Sequence, residues 1–207
     1  KELKQRFDFP VYALVVLPFR EEGTLYLQNA AFCLRDIRES DVDGIILADN
    51  QFLKQMGGNV ESAYNGINDM IARRLLFLLD ALDSEMMMVT DLGDFKTVMS
   101  GGAGLATIGF FEADSEMPIK SAIRQSLSPS GLLFSTDVYE EASRSMVIIK
   151  GDRKYLSIDD ISSEVEKLSS SVGHVFKGII VRNDELPQVL TVLTLESASE
   201  LENLYSI

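Results

Sequence analysis

VYALVVLPFREEG, residues 11–23, contains the clearest structural signal in this 207-residue chain. Its first seven residues are a continuous apolar run, which is typical of a strand covered on both faces in a parallel sheet. Pro18 ends the run, and Glu21-Glu22-Gly23 leads into a helical pattern. A second apolar run, Gly44 to Ala48, follows and is closed by Asp49-Asn50. Strand, helix and strand in this order predict an α/β fold with a right-handed parallel crossover.

Further along the chain, the sequence predicts one long helix. Gly57-Gly58 break the chain, and Asn59 is a suitable N-cap. The apolar positions recur at three- and four-residue spacing over about six turns: Val60, Tyr64, Ile67, Ile71, Leu75 and Leu78. Because ordinary helices average ~11–12 residues, a helix of this length is typical of a central pillar between two layers or domains.

The remainder of the chain predicts a second, α+β domain. The expected strands are Leu105–Phe111, Met146–Lys150, Val175–Val181 and Val189–Leu195, and the expected helices are Asp91–Ser100, Ile119–Leu127 and Ile158–Ser169. Four strands separated by helices or loops predict a mostly mixed sheet with helices against one face. The predicted division falls at 82/83, which gives domains 1–82 and 83–207.

Composition and charge limit the partners. The net charge is −13 and the isoelectric point is near 4.5, so the surface repels nucleic acid and anionic membranes. No apolar run approaches the ~18 residues of a membrane span, and direct membrane insertion is not expected. Cys33, the only cysteine, is predicted to be a small buried hydrophobe in a reducing, cytoplasmic compartment. With His174 as the only histidine, no metal site is predicted.

The acidic turn Glu21-Glu22-Gly23, with Tyr26 after it, follows a buried strand. Ligands of α/β proteins bind beyond the carboxyl ends of parallel strands, so this turn is in a suitable place for a site. A purely structural explanation also holds, because glutamates at a helix start interact favourably with the helix dipole. The residues alone leave both interpretations open.

Asn50, Tyr64 and Asn68 form a second candidate group. Tyr64 and Asn68 are four residues apart on the long helix and therefore share a face, and Asn50 ends the second strand. An aromatic ring with amide donors and acceptors suits a flat heterocycle, which needs stacking and edge hydrogen bonds. The alternative is a core tyrosine beside a solvated asparagine.

Asp91 and Asp94, three residues apart at a predicted helix start, form the third candidate group. Asp91 as N-cap and Asp94 in the first turn would explain the pair structurally. The functional alternative is a carboxylate pair that orients a water molecule for attack on a phosphate.

Taken together, these segments resemble the tubulin/FtsZ superfamily, and most closely its archaeal CetZ branch. PFREEGTLY (18–26) is similar to the segment that begins the family's ribose contacts, and ADNQFL (48–53) to the one that places an asparagine against guanine. AYNGIND (63–69) matches the tyrosine and asparagine of the core helix, and VTDLGDFKTVM (89–99) the synergy loop. Two departures are Tyr26, where FtsZ has arginine, and Val89, where FtsZ has asparagine.

The resemblance implies the end of a parallel-sheet GTPase domain with its core helix, followed by the superfamily's C-terminal domain. It also implies a GTPase that binds GTP or GDP with Mg²⁺ carried by the nucleotide, assembles head-to-tail into filaments and serves cell shape or division with adaptor proteins. By this resemblance the guanine nucleotide contacts are Glu22, Tyr26, Asn50, Tyr64 and Asn68, and the catalytic residues are Asp91 and Asp94, which act on the nucleotide of the neighbouring subunit.

The family's glycine-rich phosphate loop does not occur in these residues. The resemblance places that loop before Lys1, so the chain is expected to be a fragment that is inactive by itself. Two alternatives stay open at this point: a non-hydrolysing tubulin-like scaffold or interaction module, and an unrelated α/β domain that binds a small molecule.

Overall fold

Strands and helices are interspersed along the chain. A computed structural model of the protein describes residues 2–7, 9–52, 54, 60–84, 90–101, 104–133 and 141–196. The strands are β1 (Tyr12–Leu17), β2 (Gly44–Asp49), β3 (Leu105–Glu112), β4 (Ala142–Gly151), β5 (His174–Val181) and β6 (Gln188–Leu195). The α-helices are α1 (Glu2–Arg6), α2 (Thr24–Arg38), α3 (Val60–Asp83), α4 (Leu92–Met99), α5 (Ile119–Ser126), α6 (Pro129–Leu132) and α7 (Ile158–Val172).

The crossover that residues 11–49 predict is confirmed. β1 and β2 pair in parallel along their whole length, from Tyr12 opposite Gly44 to Leu17 opposite Asp49, with α2 between them in sequence. Every residue of β2 is buried, as its unbroken apolar run predicts. A short 3-10 turn follows each strand, Arg20–Glu22 after β1 and Asn50–Phe52 after β2.

The four later strands form the predicted mixed arrangement: β6 pairs antiparallel with both β3 and β4, and β4 pairs parallel with β5. They do not form a separate sheet, however. β2 and β3 pair in parallel at Ile45–Leu105 and Ile46–Ala106, which joins all six strands in the order β1-β2-β3-β6-β4-β5. The α/β class is therefore confirmed, and the domain division at 82/83 stays a prediction.

Helices cover both faces of this sheet, so the prediction that they lie against one face was wrong. On one face, buried residues of α5 and α7 such as Ile123 and Leu168 pack on β4, β5 and β6. On the other, α3 and α4 contribute Phe77, Val98 and Met99 to a second core cluster. The long helix causes the difference, because its apolar stripe continues past the first two strands and reaches the second half of the sheet.

Cys33 is exposed, which corrects the prediction of a buried hydrophobe. The side of α2 that faces the sheet carries Leu27, Ala30 and Leu34, whose three- and four-residue spacing follows the helical period. Cys33 lies outside that stripe, and the apolar run around it in the sequence is not a buried run in space.

Three predicted features, the Asn59 N-cap and the side chains of Val60 and Val89, lie outside the described residues. None of the helices in the described ranges has the length and apolar composition that crossing a bilayer requires.

Candidate functional site

A partly buried ion pair organises the carboxyl ends of β1 and β2. Arg20, just past β1, donates two hydrogen bonds to the carboxylate of Asp49, the last residue of β2, at 2.6 and 2.7 Å. The backbone N–H of Gln51 donates a third bond to the same carboxylate at 3.0 Å. The Asp49 side chain is only 1% exposed, so this pair fixes the turn that follows it. Our sequence analysis missed Arg20, although opposite charges just past two neighbouring parallel strands are a signal for such a pair.

Asn50 begins that turn and has an unused acceptor. The residue is 8% exposed. Its side-chain oxygen Oδ1 is buried and accepts no hydrogen bond from any residue that the structure describes. An unpaired buried acceptor normally costs free energy, so a ligand N–H at this point would restore a missing bond.

Tyr64 lies beside the same turn. Its ring meets that of Phe19 edge-on, with the ring centres 5.9 Å apart, and both rings pack against a small core cluster that includes Phe52. Burial, together with the nearby Glu22 carboxylate, raises the pKa of Tyr64, so the phenol stays neutral at physiological pH. The Glu22 carboxylate accepts a hydrogen bond from the backbone N–H of Phe19 at 3.0 Å. The structure therefore brings Glu22, Tyr64 and the Asn50 turn together.

The other two predicted nucleotide contacts are at the periphery. Asn68 is exposed, one helical turn beyond Tyr64 on the same face of α3. Tyr26 is 60% exposed in the first turn of α2, after Gly23, whose φ of 100° begins that helix. Glu21 forms an ion pair with Lys54 at the surface beside them.

Asp91 and Asp94 form a capping box at the start of α4. The Asp91 carboxylate accepts from the Asp94 N–H at 3.0 Å, and the Asp94 carboxylate accepts from the Asp91 N–H at 3.2 Å. The structural explanation of the pair is thus present in the molecule. Asp91 is exposed and Asp94 is half-buried, so both carboxylates keep oxygens that can bind water or a partner.

The two groups lie at opposite ends of β1 and β2. Asn50 and Phe19 follow the carboxyl ends of these strands, whereas α4 packs at their amino ends, where the Phe95 ring meets the Tyr12 ring at 5.1 Å. Since a six-residue strand is about 20 Å long, one ligand of ordinary size cannot touch both groups in one molecule. A reaction that uses both groups therefore needs two subunits.

Comparison with known proteins agrees with the fold. No protein-family model matches the chain. A tubulin-like CetZ protein of Methanothrix thermoacetophila is 54% identical over 207 residues, covering 99% of this chain and 56% of the relative. The solved CetZ structure from Methanosaeta thermophila superposes with a TM-score of 0.90 at 54% identity, covering 99% of this chain and 57% of that one. The chain thus spans about half the length of the curated relatives it matches.

A more distant structure has the same fold. A CetZ2 protofilament from Haloferax volcanii, bound to GTPγS, superposes with a TM-score of 0.82 at 24% identity, covering 99% of this chain and 62% of that one. With this architecture and with 54% identity to a CetZ along nearly all of its residues, the chain belongs to the tubulin-like CetZ family.

Proposed function

We propose that the intact protein is a cytoplasmic tubulin/FtsZ-like GTPase that polymerises head-to-tail and hydrolyses GTP at the subunit interface, in the service of cell shape or division. The observation that carries the proposal is the position of the two candidate groups at opposite ends of one sheet. A head-to-tail contact would bring the nucleotide end of one subunit against α4 of the next. Such a contact is heterologous and open, so it generates filaments.

At the nucleotide end, Asn50 supplies the acceptor that guanine requires. Guanine carries an N–H and an amino group side by side on one edge, and both are donors. The unpaired Oδ1 of Asn50 is buried in this structure, and in this proposal the side chain turns outward to accept from that edge, while the Tyr64 ring covers one face of the purine and Asn68 lies at its rim. Glu22 and Tyr26 take the ribose side. Mg²⁺ arrives with the nucleotide in this proposal.

At the other end, Asp91 and Asp94 act on the nucleotide of the neighbouring subunit. Each carboxylate uses one oxygen for the capping box, which fixes its direction and leaves the second oxygen for a water molecule. A carboxylate held in this way can orient that water for attack on a phosphate. The half-buried position of Asp94 makes it the better candidate of the two.

One structural likeness supports the proposal, and one feature of the sequence limits it to the intact protein. The Haloferax volcanii CetZ2 is a protofilament bound to GTPγS, although at 24% identity the likeness extends only to the fold. The 207 residues contain no glycine-rich phosphate loop. These residues alone are therefore expected to be inactive, and the activity is proposed for the intact protein.

Mixing two inactive variants of the intact protein tests the proposal. Asn50→Ala impairs the nucleotide end, and Asp94→Asn removes the charge at α4 while keeping a side-chain acceptor for the cap. If the site is shared between subunits, an equal mixture recovers about a quarter of wild-type turnover, because one interface in four pairs a sound nucleotide end with a sound α4. No recovery, with both variants still polymerising, would contradict the proposal.

The alternative is a tubulin-like scaffold that does not hydrolyse GTP. One observation favours it: the capping box fully explains why two aspartates begin α4. Turnover by the wild-type protein decides between the two functions, since a scaffold would bind GTP and polymerise with no release of phosphate.

A further inference from the structure

We call residues 131–133 the junction segment. Their three consecutive carbonyl groups bind three different elements of the fold. The segment comprises the end of α6 and the residue after it. In chain order, its carbonyl oxygens accept from the guanidinium of Arg74 on α3, from Thr107 Oγ1 on β3 at 3.0 Å and from the Asp49 N–H on β2 at 3.1 Å. A segment of the second predicted domain therefore binds both the core helix and the strand that precedes Asn50.

Arg74 is the strongest of these anchors. It is 4% exposed, and its guanidinium also donates to the carbonyls of Ile108 at 3.1 Å and Met70 at 2.7 Å. Burial lowers its pKa to about 10, so it is still protonated at neutral pH. Within the described ranges it forms no salt bridge; three backbone carbonyls compensate its charge, together with the Phe110 ring, whose centre lies 5.9 Å from the guanidinium carbon. A buried cation is costly unless its geometry is well satisfied, so this arrangement is stiff.

Leu133 connects the junction segment to the candidate guanine face. Its φ of 57° and ψ of 39° are left-handed, a conformation that leucine rarely adopts and that needs support from its surroundings. Its side chain is 2% exposed and packs with Phe52 and Ile67. Phe52 closes the turn that Asn50 begins, and Ile67 lies one position before Asn68.

We propose that the junction segment, held by Arg74 and Thr107, positions Asn50 relative to Tyr64 and so sets guanine recognition. This inference rests on the proposed function. Its consequence is that residues from the second predicted domain determine which base the first domain binds. Arg74 and Thr107 act through the junction segment and touch no part of the nucleotide themselves.

The test compares purine selectivity in variants of the intact protein. Thr107→Val keeps the side-chain shape and removes the donor to the junction segment, and Arg74→Met removes the guanidinium. We expect GTP to bind about three- to thirty-fold more weakly, with ATP affinity unchanged, so that the GTP-to-ATP preference falls. In the nucleotide-free protein, amide exchange of Asp49 should accelerate, whereas that of Ile45, which donates to Gly104 at the other end of β2, should not.

Two controls separate positioning from general loss of stability. Thr194→Val removes the same kind of bond, from a fully buried hydroxyl to the Val98 carbonyl at 2.7 Å, but beside α4. Arg73→Met removes the exposed neighbour of Arg74, which pairs with Asp69 and Glu112. Both controls should keep the purine preference.

The outcomes are distinct. An equal loss of preference in Thr107→Val and Thr194→Val, or no loss in Thr107→Val, overturns the inference while leaving the proposed function intact. Failure of the wild-type protein to bind GTP overturns both. If Arg74→Met does not fold, the two threonine variants decide the question.

Discussion

The two ends of the β1–β2 pair use their carboxylates in opposite ways. At the nucleotide end, Asp49 is 1% exposed and is held by Arg20. At the α4 end, Asp91 and Asp94 are accessible and bond to each other's backbone N–H groups. A buried, paired charge is costly to disturb, whereas a capped, accessible one is free to act on something else. The first end therefore has a fixed geometry, and the accessibility of the second end is what the proposed contact with a neighbouring subunit requires.

The largest expected effect is at the nucleotide end. Arg20→Ala leaves the Asp49 carboxylate buried without its bidentate partner, which should lower the free energy of unfolding by about 3–5 kcal/mol. Urea unfolding measures it. Lys54→Ala is the control, since its ion pair with Glu21 is exposed on both sides and should contribute far less to stability. Equal losses in the two variants would mean that burial does not distinguish these ion pairs.

Glu164 is a paired carboxylate that belongs to neither end of the β1–β2 pair. It therefore tests whether ion pairing alone, without such a position, makes a carboxylate contribute to stability. It is 7% exposed on α7, far from either group in the sequence, and accepts from Arg124 at 2.9 and 2.6 Å and from Lys167 at 2.8 Å. The Arg124 guanidinium lowers the pKa of Glu164 from 4.5 to about 2, and Lys167 adds to the shift. A carboxyl group whose pKa is lower in the folded state than in the unfolded state stabilises the protein at pH values above its unfolded-state pKa. That contribution is lost as the pH falls through the folded-state pKa.

We therefore expect Glu164 to account for about 2 kcal/mol of the stability lost between pH 4.5 and pH 2. Glu164→Gln should flatten that part of the pH profile of urea unfolding. Glu166→Gln, two residues away on α7, provides the matched control. A profile for Glu164→Gln as steep as that of the wild type would show that this pair contributes nothing.

Asn50 should behave in the opposite way to Arg20. Because its buried Oδ1 has no partner in the described structure, Asn50→Leu should raise the stability of the nucleotide-free protein by about 1 kcal/mol. The same change should weaken GTP binding by the intact protein. Thermal unfolding without nucleotide and a GTP titration check the two halves of this prediction. A less stable Asn50→Leu protein would mean that the turn needs the amide for its own folding.

The sequence predicted the parts of the fold that depend on local patterns. Apolar runs identified the strands, and the capping residues at Asp91 identified the start of α4. It did not predict that β2 and β3 join the two halves in one sheet, because that contact is only two residue pairs long and spans some sixty residues. Nor did it predict that Cys33 is exposed, since the local window did not show which side of α2 meets the sheet.

The candidate site divides in the same way. Residue types and spacing gave Glu22, Asn50 and Tyr64, which the structure brings together, and Asp91 and Asp94, which it places at the other end. Arg20 was missed because its pairing with the buried Asp49 joins two separate strand ends, and Arg74 because a sequence does not show that an arginine is buried. The doublet Arg73-Arg74 reads as a charged helix surface, yet only Arg73 is on it. Burial of a charge depends on contacts with Gly131 and Ile108, which are far away in the chain.

The smallest expected effect is at the α4 end, and it completes the comparison between the two ends. Asp91→Ala removes the acceptor for the Asp94 N–H and should cost about 1 kcal/mol. Asp91→Asn keeps an acceptor and should cost a few tenths of that loss. In the intact protein, however, Asp91→Asn and Asp94→Asn should both reduce GTP turnover while leaving the wild-type urea midpoint nearly unchanged. If these variants lost stability but kept wild-type turnover, the two aspartates would serve only as helix caps. Their carboxylates would then have no part in GTP hydrolysis on the neighbouring subunit.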